Sequence, residues 1–280
     1  MNTSFSSLAL NSTYLWLDNY LLQNSQAYVN TSSQFYYTAD SQLPGYVTYA
    51  APFKSLVWDS GVSGAIILNS VSGSFGSLSR GQSGMAVDFI NGRVILPSSF
   101  GTSAIVSGSY SFKDFNLYFA NQTQERIIFT NKYYLNSRFA RPITGTPPPY
   151  SMVTPCIFVS LADNTNDSFA FGGTYNTKLN MSLIVMAESL SQLENSLSYL
   201  VDSKDSTFPL LTMDLWPLNF YGDYKSGYNY ENIVSRYGAT NNLFTITDVR
   251  GSKLSDSVKI DESIFIGLVD MEIAKVRSIR

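Results

Sequence analysis

The chain has 280 residues, 44% of them hydrophobic and only 14% charged, with a net charge of −3, no histidine and one cysteine, Cys156. The missing imidazole excludes a Ser-His-Asp triad and leaves at most one ligand for a Cys/His metal site. The single thiol excludes an intrachain disulfide, and the acidic balance argues against nucleic-acid readout.

A charged share well below the usual figure of about 25% protects a chain poorly against association, so an assembled state is expected. The length allows one large domain or two modest ones, at roughly 100–200 residues each. The opening Met1-Asn2-Thr3-Ser4-Phe5 lacks the character of a secretory leader. The most apolar stretch, Met181 to Ala187, falls far short of the ~20 residues that cross a bilayer. A soluble protein made in the cytoplasm, with no membrane and no cofactor, is the expectation.

In chain order, residues 1–41 read as a helical arm. Leu10, Tyr14, Leu17 and Leu21 recur at helical spacing, with Asn11 or Ser12 placed to cap the start. Trp16 and Tyr20 lie off that stripe, and they either pack on the chain's own core or dock on a neighbouring subunit. Residues 42–140 read as a β-sandwich or barrel-like domain punctuated by glycines. Asn91-Gly92 predicts a hairpin with a type I′ turn. Further strands are expected at Gly64 to Leu68, Ala104 to Phe112, Phe115 to Phe119 and Ile127 to Tyr133. Residues 141–150, with Pro147-Pro148-Pro149-Tyr150, form a stiff polyproline connector that also spells a WW-domain ligand pattern.

Residues 151–280 predict an antiparallel or mixed sheet with one packed amphipathic helix. Strands at Pro155 to Ser160 and Ser168 to Phe171 flank a polar loop at Asp163 to Asp167. Cys156 sits in an apolar run as a small buried hydrophobe. Leu179 to Ala187 is apolar on both faces, as a central strand requires. Ser189 and Gln192 then form a capping box, followed by the stripe Leu190, Leu193, Leu197 and Leu200. Closing strands fall near Leu243 to Arg250 and Ile264 to Ile273. The whole is α+β, mainly β.

Little here is arranged for chemistry. Asp163, Thr165 and Asp167 alternate like calcium ligands, but Ser168 and Thr174 stand where an EF-hand needs Gly and Glu. Gly251-Ser252-Lys253 lacks the spacing of a phosphate loop. Asp59, Asp214, Asp223 and Glu231 lie near Trp58, Trp216, Tyr221 and Tyr228, a mixture found both in glycan-cleaving grooves and in packed subunit contacts. Tyrosine is a low-entropy contact residue, so Trp216, Tyr221, Tyr224, Tyr228 and Tyr230 join Trp16 and Tyr20 as suspected interface residues. No catalytic, cofactor-binding or metal-binding residue is expected.

A central strand running straight into a capped helix, then a long loop and two closing strands, resembles the tail-terminator fold of tailed bacteriophages. The stretches Asp88 to Val94, Val106 to Asn116 and Asp248 to Ser257 resemble virion structural proteins of marine myoviruses that infect cyanobacteria. The resemblance covers most of the chain and includes no catalytic motif. It implies a non-enzymatic virion component: a homo-oligomeric ring, possibly a hexamer, at the neck or tail, holding neighbouring neck, tail-tube or sheath proteins. The alternative is a receptor- or glycan-binding or decoration protein that uses the loop from Trp216 to Tyr237.

Overall fold

The computed structural model describes residues 4–24, 27–40, 42–120, 122–123, 126–128, 133–135, 152–170, 173–219, 222–237, 242–254 and 264–278. The chain is α+β and mainly β. In order its elements are α1 (Phe5–Asn24), β1 (Tyr28–Thr38), β2 (Tyr46–Ala50), β3 (Ser70–Gly73), β4 (Gly76–Ser79), β5 (Ala86–Asp88), β6 (Arg93–Pro97), β7 (Val106–Lys113), β8 (Asn116–Phe119), β9 (Tyr133–Leu135), β10 (Met152–Thr154), β11 (Cys156–Ala170), β12 (Thr174–Ala187), α2 (Leu190–Val201), β13 (Thr207–Pro209), α3 (Tyr230–Tyr237), β14 (Leu243–Lys253) and β15 (Phe265–Ser278). A seven-stranded sheet has the order β4-β3-β7-β1-β2-β6-β5, and a six-stranded sheet has the order β13-β14-β15-β12-β11-β8. A small parallel pair, β9 with β10, completes the described strands.

The seven-stranded sheet is antiparallel throughout and curls into a barrel-like shape. Strand β1 causes the bend: Tyr28 to Phe35 pair with β7, and Tyr36 to Thr38 pair with β2. The stretch after β2 closes the remaining gap. Ser55 N–H and Leu56 N–H donate to the carbonyls of Ile90 and Phe89, while Val57 N–H donates to Ser111 O on β7. Gly92 permits this approach. Its φ is +65°, and a Cβ there would lie 2.2 Å from Phe53 O. The predicted hairpin at Asn91-Gly92 is present, but Asp88 pairs with Arg93, so its turn has four residues rather than two. The Asp88 carboxylate holds it by accepting from Asn91 N (3.0 Å) and Asn91 Nδ2 (2.7 Å).

Helix α1 corrects the predicted arm. Ser4, not Asn11 or Ser12, stands at its start, where Ser4 Oγ accepts from Ser7 N–H. Ser12 and Thr13 lie in the helix interior, fully buried, and return their hydroxyls to the carbonyls of Leu8 and Ala9. Ser12 Oγ also accepts from Leu211 N–H at 2.9 Å, fastening the helix to the segment that follows β13. With Ala9, Leu15, Leu17, Leu21 and Leu22 buried around its circumference, α1 is a core helix.

The other corrections follow from exposure and pairing. Gly64 to Leu68 is not a strand, although Ile66 exchanges backbone and side-chain hydrogen bonds with Ser111. Residues 126–128 are a helical turn, and the strand expected from Ile127 begins only at Tyr133. The polar loop at Asp163 to Asp167 is instead the middle of the 15-residue strand β11, paired with β12 along almost its whole length. Strand β1 falls within the expected arm yet sits inside the first sheet, and β8 falls within the expected β domain yet pairs parallel with β11 in the second. The connector 141–150 lies outside the described residues.

One main core runs from α1 through both sheets. A second cluster, which includes Ile127, Cys156, Phe158, Ile184 and Met186, covers the opposite face of the six-stranded sheet. Burial pushes the Cys156 thiol well up from its ordinary range, as for a packed hydrophobe. Helix α2 lies on the main-core face. Ser189 Oγ accepts from Gln192 N–H, and the return bond of the cap runs from Glu188 N–H to Gln192 Oε1. Leu193, Leu197 and Leu200 are buried, each contributing roughly 2 kcal/mol by transfer from water. Leu190, expected on the same stripe, is 46% exposed.

Candidate functional site

Helix α1 presents Trp16, Asn19, Tyr20 and Gln23 along one side, the i, i+3, i+4, i+7 spacing of a helix face. Opposite them stands α3, with Tyr230, Glu231 and Val234, and Phe208 of β13 lies between the two helices. Together these form an open groove of about 400 Å³. The Trp16 ring stacks with Tyr20 at 5.1 Å and with Phe208 at 5.0 Å. Tyr20 Oη donates to Tyr199 O at 3.2 Å, which ties the outer part of the groove to α2.

The wall opposite α1 is held by a buried carboxylate. Asp59 is 1% exposed, and its Oδ1 accepts from Gly61 N–H at 2.8 Å and Tyr230 N–H at 3.1 Å. Asn19 Nδ2 lies 3.5 Å from Asp59 Oδ2, so α1 and α3 share this anchor. Ser60 supplies backbone and side-chain donors to Tyr228 O, and Asn229 Oδ1 caps α3 by accepting from Asn232 N–H. Burial raises the Asp59 carboxyl above its ordinary range, against the pull of the two amides. Deeper in the body, Lys113 Nζ and Asp18 Oδ1 form a buried ion pair at 2.5 Å, and Lys113 also lies 5.1 Å from the centre of the Trp58 ring.

The structure separates the suspected interface residues into three groups. Trp16, Tyr20 and Tyr230 meet at the groove. Tyr224 and Tyr228 pack on Trp58, at ring distances of 5.1 and 5.4 Å. Trp216 is half-buried against the main core, and Tyr221 lies outside the described residues. Trp16, Tyr228 and Tyr230 are 6%, 6% and 3% exposed, so their rings are spent within the chain. Among the described residues the Tyr228 and Tyr230 hydroxyls and Trp216 Nε1 are buried with no hydrogen-bond partner, and all three belong to the segment from Trp216 to Tyr230. Burial also lifts the Tyr224, Tyr228 and Tyr230 hydroxyls well above the usual phenol range.

Asn19, Gln23, Phe208 and the Asp18–Lys113 pair were not singled out from the sequence. Asn19 and Gln23 carried a usable signal, since they follow Trp16 at three and seven residues on the same helix face. Of the four candidate carboxylates, Asp59 is committed to backbone amides, while Asp214, Asp223 and Glu231 are exposed. Among the described residues no three His, Cys, Asp or Glu side chains gather as a metal site, and no helix is long and apolar enough to cross a membrane. No protein-family model matches the chain, and a search of curated proteins finds no relative.

Proposed function

We propose that this protein is a non-enzymatic structural component of a tailed-phage virion. It assembles as a homo-oligomeric ring at the neck or tail, as a tail terminator or tail-completion protein, and holds adjoining head–tail parts together. The observation that carries the reading is the far end of the six-stranded sheet. Strand β8 pairs with β11 only from Cys156 to Val159, and beyond it no described strand borders the outer edge of β11. Residues 162–168 are exposed, so along this stretch β11 is an open edge of the sheet, backed by the half-buried and buried residues of β12.

An unpaired edge is a template for another strand. Pairing that edge with a different surface of the next copy is a head-to-tail contact, and such contacts close into rings. Asp163 and Asp167 on the edge oppose indiscriminate pairing between identical edges, since they place like charges together. The buried aromatics Trp16, Tyr228 and Tyr230 hold the subunit rigid, and subunit contact falls to the open edge of β11.

Mass photometry of the purified chain, alone and with tail tubes, tests this. A closed oligomer is expected in at least one condition, and a monomer in both would overturn it. Consecutive strand residues direct their N–H groups to opposite sides. Of Asn164→Pro and Thr165→Pro, one therefore removes an outward donor while sparing β12, and that variant is expected to stay folded and lose the oligomer.

A further inference from the structure

We infer that the groove between α1 and α3 binds a neutral saccharide. The inference concerns a single chain and does not depend on ring formation. The first ground is charge. The polar side chains lining the groove include the amides of Asn19 and Gln23, whose N–H groups already reach Asp59 and the Gly61 carbonyl, the hydroxyls of Tyr20, Thr207 and Ser235, and the carboxylate of Glu231. Among the described residues no cation lines the groove, so an anionic ligand such as a phosphate, a sulfate or an acidic peptide meets the Glu231 charge without a counter-charge.

The second ground is the apolar surface. It is aromatic, supplied by Tyr20 with Trp16 and Phe208 behind it, and among the described residues Val234 is the sole aliphatic side chain of the lining. A lipid or an amphipathic helix needs a run of aliphatic pockets. A pyranose instead offers a patch of C–H bonds that lies on the electron-rich face of an aromatic ring. Its hydroxyls donate to acceptors, and amide oxygens and a carboxylate are the acceptors that Asn19, Gln23 and Glu231 bring to the lining.

The third ground is shape and rigidity. The volume of about 400 Å³ lies at the lower end of the range of roughly 300–1,000 Å³ for small-molecule sites, which suits a short unit of a longer chain lying in an open trough. Both walls are fixed before any ligand arrives, α1 by burial on most of its circumference and α3 by the Asp59 and Asn229 bonds at its start. A preformed site loses little entropy on binding. Tyr230, on the groove wall, keeps a buried hydroxyl that has no hydrogen-bond partner among the described residues.

The test is saturation-transfer NMR followed by titration calorimetry, using maltohexaose, cellohexaose, chitohexaose and a galactan oligosaccharide, with a heparin hexasaccharide as the acidic arm. At least one neutral probe is expected to bind with a dissociation constant of about a millimolar or tighter. Tyr20→Ala and the groove-filling Ser235→Trp are expected to weaken binding by about tenfold or more, and Tyr20→Phe, which keeps the ring, to preserve it. Glu231→Gln, at an exposed position, leaves the fold intact and is expected to weaken binding several-fold. The inference fails if no neutral probe binds, if only the acidic probe binds, or if Ser235→Trp and Glu231→Gln, both folded by circular dichroism, bind as tightly as the parent chain.

Discussion

Among the described residues, the segment from Trp216 to Tyr230 holds three buried polar side-chain atoms without partners, and two of them are phenolic hydroxyls. A buried unsatisfied hydroxyl costs about 1–3 kcal/mol of desolvation that no bond returns. Tyr228→Phe and Tyr230→Phe remove the hydroxyl and keep the ring, so each is expected to stabilise the chain by about 1 kcal/mol. Tyr110 is the internal control. It is also fully buried, but its hydroxyl shares a 2.8 Å hydrogen bond with Ser33 Oγ. Tyr110→Phe is therefore expected to lose about 1 kcal/mol. Urea denaturation of the three variants reads the difference directly. A loss at all three positions would mean that ordered water satisfies Tyr228 and Tyr230. The same contrast explains why a count of tyrosines is a poor guide to function, since an identical side chain serves as core, as linker between strands and as groove lining in one molecule.

Helix α2 shows how an element is seated by what is missing beneath it. Gly251 of β14 and Gly267 of β15 lie under it, and a Cβ on Gly267 would stand 3.0 Å from Leu193 Cδ1 and from Leu197 Cδ2. On Gly251 the nearest atom, Val201 Cγ2, is 3.3 Å away. Gly267→Ala is expected to destabilise by about 1–3 kcal/mol through overpacking, and Gly251→Ala by much less. Because Leu193 is the group displaced, adding Leu193→Ala to Gly267→Ala is expected to cost less than the sum of the two single changes. A fully additive thermal or urea series would show that the helix is not seated on this glycine. Helix α2 and strands β7, β8, β12, β14 and β15 were legible because each carries its own signal: a cap, an apolar stripe or an apolar run. The outer half of β11 was not. It is polar and exposed on both faces, so the alternation that marks a strand is absent, and only pairing with β12 makes it one. Strand β1, rich in Ser, Thr, Asn and Gln, was hidden for the same reason. The true start of α1 was hidden because Ser12 and Thr13 imitate a cap, while their hydroxyls in fact bond back along the helix. The groove had no local signature, since it joins Trp16 to Phe208 and Tyr230 across most of the chain.

At the scale of the whole molecule, sparse charge means that a few buried ionisable groups dominate the response to pH. Burial lowers Lys54 to about 8, with nearby Arg93 adding to the effect, and lowers Lys275 to about 8, with Arg277 adding. In the unfolded chain both lysines titrate at the ordinary value of about 10.4. Between those values the unfolded state binds more protons than the folded one, so stability rises as pH increases from about 8 towards about 10. The buried phenols act with the opposite sign. Tyr110 is pushed up to about 12, and Tyr14, Tyr224, Tyr228 and Tyr230 are raised well above the usual range, chiefly by burial. Above about 10 the unfolded chain releases phenolic protons that the folded chain keeps, so protons are again bound unequally and stability falls. The buried Cys156 thiol is raised too, and because the unfolded thiol titrates near about 8.5 it opposes the lysines above that pH. The opposing sets place the maximum between about pH 9 and 10, above the usual range of about 5–8. Urea midpoints from pH 7 to 11 measure the profile. Lys54→Met and Lys275→Met are each expected to flatten the rising limb and leave the falling limb in place, because the lysines drive the first and the buried thiol and tyrosines the second. A parent chain whose stability declines steadily from pH 8 upward would show that these ammonium groups reach water in the folded state.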